Sequence, residues 1–96
     1  MYTWVIYDIR KNNTRGRVAK RCKYYGLARV QKSVFFGKLK RRWFDVLALE
    51  MGEIINRRTD RIFIVPMNKT DYDRLCQSGA PPSIDSSLQH KNSRFI

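Results

Sequence analysis

Acidic side chains are scarce in the first half of this chain: residues 1 to 44 carry thirteen Lys and Arg but one carboxylate, Asp8. Residues 45 to 96 hold seven of each sign, so the whole net charge of +12 belongs to the first half. Histidine is nearly absent, with His90 alone in a polar C-terminal stretch, and the two cysteines, Cys22 and Cys76, stand far apart. No zinc-ligand spacing can be assembled from that set, and Cys22 reads as a small core residue on a helix. No apolar run approaches the roughly 20 residues of a membrane span, and no charged-then-apolar leader opens the chain. A reduced, soluble, cytoplasmic protein with no membrane partner is the expectation. Ninety-six residues make one compact domain that cannot wall off a deep substrate cavity, so any chemistry belongs on a surface or at a subunit interface.

What the chain does have is positive charge and aromatic rings. A pI near 10.3 gives long-range attraction for polyanions. Five Tyr, five Phe and two Trp argue for a packed core rather than a disordered basic arm. Nucleic acid is therefore the leading partner. An anionic membrane surface fits less well, because the first helix offers only Val18, Ala19, Cys22 and Tyr25 to an apolar side.

Tyr2 to Ile9, dense in β-branched and aromatic residues, reads as a central strand. The polar turn Lys11 to Thr14 offers an N-cap to a helix in which Val18, Cys22 and Tyr25 follow at helical spacing, until Gly26 stops it. Leu27 to Leu39 is extended again, with a bend or bulge expected at Gly37 and either a tight turn or a kink at Gln31 to Ser33. Phe44, Leu47, Ala48, Met51, Ile54 and Ile55 recur with the period of an amphipathic helix. Asp60 introduces a strand from Arg61 to Met67 whose apolar part is ended by Pro66, and Asp71 to Cys76 reads as a short helical turn.

This order predicts an α+β, ferredoxin-like βαββαβ plait over residues 1–76, with both helices on one face of a four-stranded antiparallel sheet. Residues 77–96 form a polar extension whose Arg94, Phe95 and Ile96 are expected to make a short terminal strand. The second sheet face, with Trp4, Ile6, Phe36 and Ile64 as candidates, is left without a covering element, and a two-fold homodimer is expected there.

Asp8 ends the first apolar run and faces a basic stretch, a position suited to a metal ion or a phosphodiester. Magnesium keeps several waters and is commonly held by one or two carboxylates plus a substrate phosphate, so one Asp per chain, doubled across a dyad, meets the minimum. The alternative role is structural, with Asp8 capping its turn or pairing with Arg10, Arg15 or Arg17. Arg15 and Arg17 flank Gly16 at a helix start, where the dipole and free N–H groups attract phosphate. Lys20, Arg21 and Lys23 continue that helix as a solvated basic face. Tyr7 and Phe35 flank these positions and could stack on a base or ribose, although Phe35 leans toward the core. Lys38, Lys40, Arg41 and Arg42, before Trp43, could track a duplex backbone by shape and charge.

Several of these pieces together resemble one family. They are Tyr7-Asp8-Ile9, Arg15 and Arg17, Tyr25-Gly26, Val30-Gln31-Lys32-Ser33-Val34-Phe35 with Gly37, and Asp60 before Ile62-Phe63-Ile64-Val65-Pro66. In combination they are similar to the CRISPR-associated protein two family over residues 1 to 67. The resemblance implies a ferredoxin-like homodimer acting in spacer acquisition, between copies of an integrase partner, CRISPR-associated protein one. It also implies a divalent-metal endonuclease activity on RNA or DNA, with magnesium or manganese held at the Asp8 position and shared across the dyad. An arginine near Arg29 lies close to the acidic site in that family, which brings Arg29 into the nucleic-acid set. No second carboxylate or histidine stands near Asp8 to act as a base, so catalysis is expected to be slow.

Two classes of function thus stand side by side: a metal-dependent nuclease, and a non-catalytic dimeric scaffold that holds a duplex and docks an integrase. A third, a small RNA-binding plait, needs exposed aromatics on its central strands, and Val34-Phe35-Phe36-Gly37 is a partial fit.

Overall fold

The apolar run Tyr2–Asp8 forms β1, and the alternation of its side chains divides the molecule into two layers. The computed structural model describes residues 1–80. After β1 come α1 (Asn12–Tyr24), β2 (Ala28–Gln31), β3 (Val34–Lys38), α2 (Arg41–Ile54), β4 (Arg61–Met67) and α3 (Lys69–Asp73). The four strands form one sheet in the order β2-β3-β1-β4, every neighbouring pair antiparallel. This is the ferredoxin-like plait that the element order predicts, with β1 inside the sheet between β3 and β4.

Thr3, Val5 and Tyr7 of β1 point to the helix side and are buried. Val5 and Tyr7 meet Val18, Ala19 and Cys22 of α1, Leu47 and Met51 of α2, and Phe35 of β3 in one core. Val5, Phe35, Leu47 and Met51 are fully inaccessible to solvent, and each such side chain contributes about 1.5–3 kcal/mol relative to an exposed position. The stripe read from Phe44 to Ile55 is real but graded: Leu47 and Met51 are its buried centre, while Phe44, Ile54 and Ile55 pack along its margin. α1 and α2 are also tied by charge. The Arg21 guanidinium donates from Nε and Nη2 to both oxygens of Glu50, at 2.6 and 2.9 Å, and the Tyr25 hydroxyl donates to the same carboxylate.

The opposite sheet face differs from the expectation. A third element does cover part of it: α3, whose N-cap Asn68 accepts from the Asp71 N–H at 2.7 Å, lowers Tyr72 onto the sheet. The Tyr72 ring stacks on Tyr2 at 4.1 Å and on Phe36 at 5.5 Å, and Phe36 is thereby buried. Ile64 lies on the helix side. Of the four residues expected on an open face, Ile6 remains exposed, and Phe63 and Val65, its neighbours on β4, join it.

Three local expectations resolve. Lys32 and Ser33 form a tight turn between β2 and β3 rather than a kink. The bulge lies in β2, where the register shifts between Arg29 and Gln31, and not at Gly37. Gly37 answers to a different constraint: a Cβ there would stand 2.8 Å from Leu27 Cδ2 and 3.3 Å from the Gly26 carbonyl oxygen, so the chain passes too close for any side chain. Gly26 itself adopts φ +86°, the left-handed conformation that closes α1. Pro66 sits within β4, which continues to Met67, and is tolerated because β4 is an edge strand. The terminal strand expected at 94–96, and most of the 77–96 extension, lie outside the described residues.

Candidate nucleic-acid and metal site

Asp8 closes β1 on the face away from the helices, exposed to solvent and paired in register with Arg61 of β4. Among the described residues its carboxylate accepts no hydrogen bond and forms no ion pair. The capping role is filled elsewhere. Asp60 accepts from the backbone N–H groups of Arg10 at 3.1 Å and Asn56 at 2.9 Å, clamping the β1–α1 loop to the α2–β4 loop. Those two backbone donors, Asn56 first, hold the Asp60 carboxyl below the usual range. Asp60 also lines a cleft of about 580 Å³ with Arg10, Lys11 and Thr14, which does not include Asp8.

Arg15 belongs to this end of the molecule in a structural capacity. Its Nη1 donates to the carbonyl oxygens of Ile9 at 2.6 Å and Arg10 at 3.0 Å, fixing the loop that follows Asp8. Arg17, one residue past Gly16, is exposed and is the freer cation for phosphate. The polar turn expected to cap α1 does so through its first residue, Lys11, with no side-chain hydrogen bond and no acid in the first turn, while Asn12, Asn13 and Thr14 lie inside the helix. Such a helix start concentrates positive charge where the dipole is already positive, which weakens the helix and strengthens its pull on an anion.

Tyr7 and Arg29 lie together but not with Asp8. Both face the helix side, the Arg29 guanidinium 5.1 Å over the Phe35 ring and its Nε buried with no partner. Burial raises the Tyr7 phenol above its ordinary pKa, against the lowering effect of the nearby Arg29 charge. At 6% exposure, Tyr7 packs against Phe35 and presents no face for base stacking, which corrects that expectation. The cause is parity, since a side chain one position before Asp8 on a strand must point to the other face. Phe35 and Phe36 are both buried, so the aromatic platform that an RNA-binding plait requires is absent from the described residues. Arg21 turns out to be the partner of Glu50 rather than a solvated cation.

A carboxylate with no partner, an apolar strip of Ile6, Phe63 and Val65 beside it, and bare basic loops at the same end define a class: a basic ferredoxin-like plait with one acid on its open sheet face. The family model of CRISPR associated protein Cas2 matches residues 1–75, and the chain belongs to that family. It is 41% identical over 63 residues to the CRISPR-associated endoribonuclease Cas2 1 of Archaeoglobus fulgidus, a match that spans 66% of this chain and 67% of the relative. It is 34% identical over 73 residues, 76% of this chain and 28% of the relative, to a CRISPR-associated endonuclease Cas1/endonuclease Cas2 fusion of Thermoproteus tenax. Among solved structures, Streptococcus pyogenes Cas2 at pH 6.5 superposes with a TM-score of 0.70 at 30% identity, covering 82% of this chain and all of the other.

As a metal site, one chain supplies too little. No group of three or more His, Cys, Asp or Glu converges among the described residues, and Asp8 brings one carboxylate per chain. Two copies related by a dyad would offer two, which suits magnesium with its retained waters better than any closed cage.

Sequence reasoning missed Phe63, Val65 and Tyr72 as shapers of this face. The signal for the first two was present: Ile62 and Ile64 alternate with Phe63 and Val65, but a run apolar at every position hides which parity is buried. No helix among the described residues is long and apolar enough to cross a membrane.

Proposed function

We propose that this protein is a homodimeric, magnesium- or manganese-dependent endonuclease for RNA or DNA phosphodiesters that acts in CRISPR adaptation. The observation that carries this is Asp8, the lone acid of the basic half, exposed without a partner beside the apolar strip Ile6, Phe63 and Val65. Burial of that strip against its own copy removes an apolar surface from water and brings the two Asp8 carboxylates toward one axis. A divalent ion held there would offset charge on the scissile phosphate and acidify a bound water. Arg17 and the bare start of α1 attract the nucleic-acid backbone, while Arg15 and Asp60 keep the loops around Asp8 fixed. No group of three or more His, Cys, Asp or Glu gathers among the described residues, and Asp60, the other carboxylate at this end, is occupied by the Arg10 and Asn56 N–H groups, which supports slow turnover.

A second reading is favoured by that same sparse ligand set: a non-catalytic dimer that binds duplex DNA and bridges integrase subunits. The fusion of the two proteins in the Thermoproteus tenax relative supports an association with a Cas1 partner. Asp8→Asn separates the two readings, because it keeps shape while removing the charge a hard cation needs. The nuclease reading expects magnesium-dependent cleavage to fall by at least about a hundredfold, with sedimentation still at twice the 11.4 kDa chain mass. Equal cleavage by the variant removes Asp8 from the chemistry. Absence of cleavage in both, with spacer integration intact beside the Cas1 partner, selects the scaffold.

A further inference from the structure

α1 and α2 follow antiparallel strands and run antiparallel themselves, so the end of α1 meets the start of α2. The Tyr25–Trp43 contact marks that meeting. It lies at the opposite end of β1 from Asp8, about 20 Å away for a seven-residue strand, and in the helix layer rather than on the open sheet face.

Tyr25 packs at the margin of the helix-side core, but the two rings beside it are not used by the core. Tyr24 is 73% exposed and Trp43 41% exposed, whereas the core contributions of α1 are Val18, Ala19 and Cys22. Each exposed ring carries a guanidinium: Arg21 lies 4.3 Å over Tyr24, and Arg42 lies 4.9 Å over Trp43. Tyr25 links them, edge-on to Tyr24 at 5.3 Å and 6.3 Å from Trp43. Lys20, Lys23, Lys40 and Arg41 are exposed on the same turns. Of the three acids on α2, Glu50 is neutralised by Arg21, and only Asp45 lies in the helix half that carries Trp43. Flat π-surfaces interleaved with arginine, within an excess of cations, match stacked bases joined by phosphates better than an aliphatic protein groove.

We propose that Tyr24 and Trp43 form a binding site for unpaired nucleotides, with bases stacking on the two rings and the surrounding lysines and arginines holding the phosphates. The proposal rests on the nucleic-acid reading of the basic half, and is independent of any chemistry at Asp8. A duplex held along the basic surface could therefore have its unpaired end recognised on a surface separate from the acidic site.

The test compares one duplex in two forms, blunt and with a short unpaired extension, and uses the Trp4→Phe variant so that Trp43 is the only tryptophan. The extended form should quench Trp43 fluorescence and bind about tenfold more tightly, the effect of roughly one base stack. Tyr24→Ala, at an exposed position, should bring the two affinities together while leaving blunt-duplex affinity and its salt dependence unchanged. If Trp4→Phe does not fold, the affinity ratio in wild type and in Tyr24→Ala decides alone. Equal affinities in the wild type, or a ratio untouched by Tyr24→Ala and Trp43→Leu, would overturn the site while leaving electrostatic duplex binding in place. Failure of the wild type to bind either form would overturn both. Quenching by a protein partner but not by the extended oligonucleotide would assign the patch to protein contact and overturn it as well.

Discussion

The two faces of the central sheet are built from the same residue types and end in opposite states. On the helix side, Val5, Phe35, Leu47 and Met51 are sealed from solvent. On the other side, Tyr72 seals Phe36, but Ile6 at 39%, Val65 at 37% and Phe63 at 54% exposure stay in water beside Asp8. Hydrophobicity alone does not distinguish these faces; what differs is whether another element of the chain reaches them. The sealed face holds the fold. The half-covered face is free to hold a second copy, and it carries the one acid that the basic half retains.

Two phenylalanines put the contrast to the sharpest test. Phe35→Ala should destabilise the protein by about 3–5 kcal/mol, the cost of a large cavity in a packed core. Its effect on the urea midpoint should not depend on protein concentration. Phe63→Ala should change the intrinsic fold by no more than about 0.5 kcal/mol, yet lower Tm increasingly as the protein is diluted, because what it weakens is association. Equal, concentration-independent losses for the two variants would show that the second face is not an interface.

This asymmetry also explains what could be read from the sequence. Element order, the central place of β1 and the buried stripe of α2 follow from periodicity, and periodicity survives in a linear string. The position of Asp8 at the end of β1 was legible for the same reason. Which face a residue occupies was not, because Tyr2–Asp8 and Ile62–Val65 are apolar at nearly every position and alternation leaves no mark. Hence the sequence places Tyr7 with Asp8, although they point apart, and Ile64 on the open face, although it packs on the helix side. Arg15 and Arg21 were read as free cations because their partners, backbone carbonyls and a glutamate on another helix, are chosen by tertiary structure.

A smaller effect is expected at Gly37, where the close approach replaces the bulge that its residue type suggested. An added methyl would meet Leu27 Cδ2, which can rotate only within a packed core, and also the Leu27 Cα at 3.2 Å and the Gly26 carbonyl, which cannot. Gly37→Ala should therefore cost about 1–3 kcal/mol by overpacking, read as a lowered urea midpoint with an unchanged denaturant slope. A neutral substitution would mean that β2 and β3 separate more readily than their packing indicates.

The smallest effect concerns the charge that ties the two helices on the sealed side. Arg21 first, and then the Tyr25 hydroxyl, hold the Glu50 carboxyl below its ordinary range, while partial burial opposes them. A carboxyl depressed in the folded state contributes stability above its unfolded pKa, near 4.5, and loses that contribution as pH falls through the folded value. Both side chains are about one-third exposed, so solvent screens the pair and the effect should amount to a few degrees in Tm. Glu50→Gln keeps one oxygen that can accept from Tyr25, but removes the charge and turns the other acceptor of the Arg21 guanidinium into an NH2 donor. Wild type should therefore melt above Glu50→Gln at pH 7, and the gap should close as pH falls from the unfolded value near 4.5 through the lower folded one. Asp60, also depressed, keeps the same surroundings in both proteins and cancels in the difference. A gap that stays constant however far the pH is lowered would mean that Glu50 acts through packing and hydrogen bonding rather than charge, and that the helix layer, like the core beneath it, is held without an ion pair.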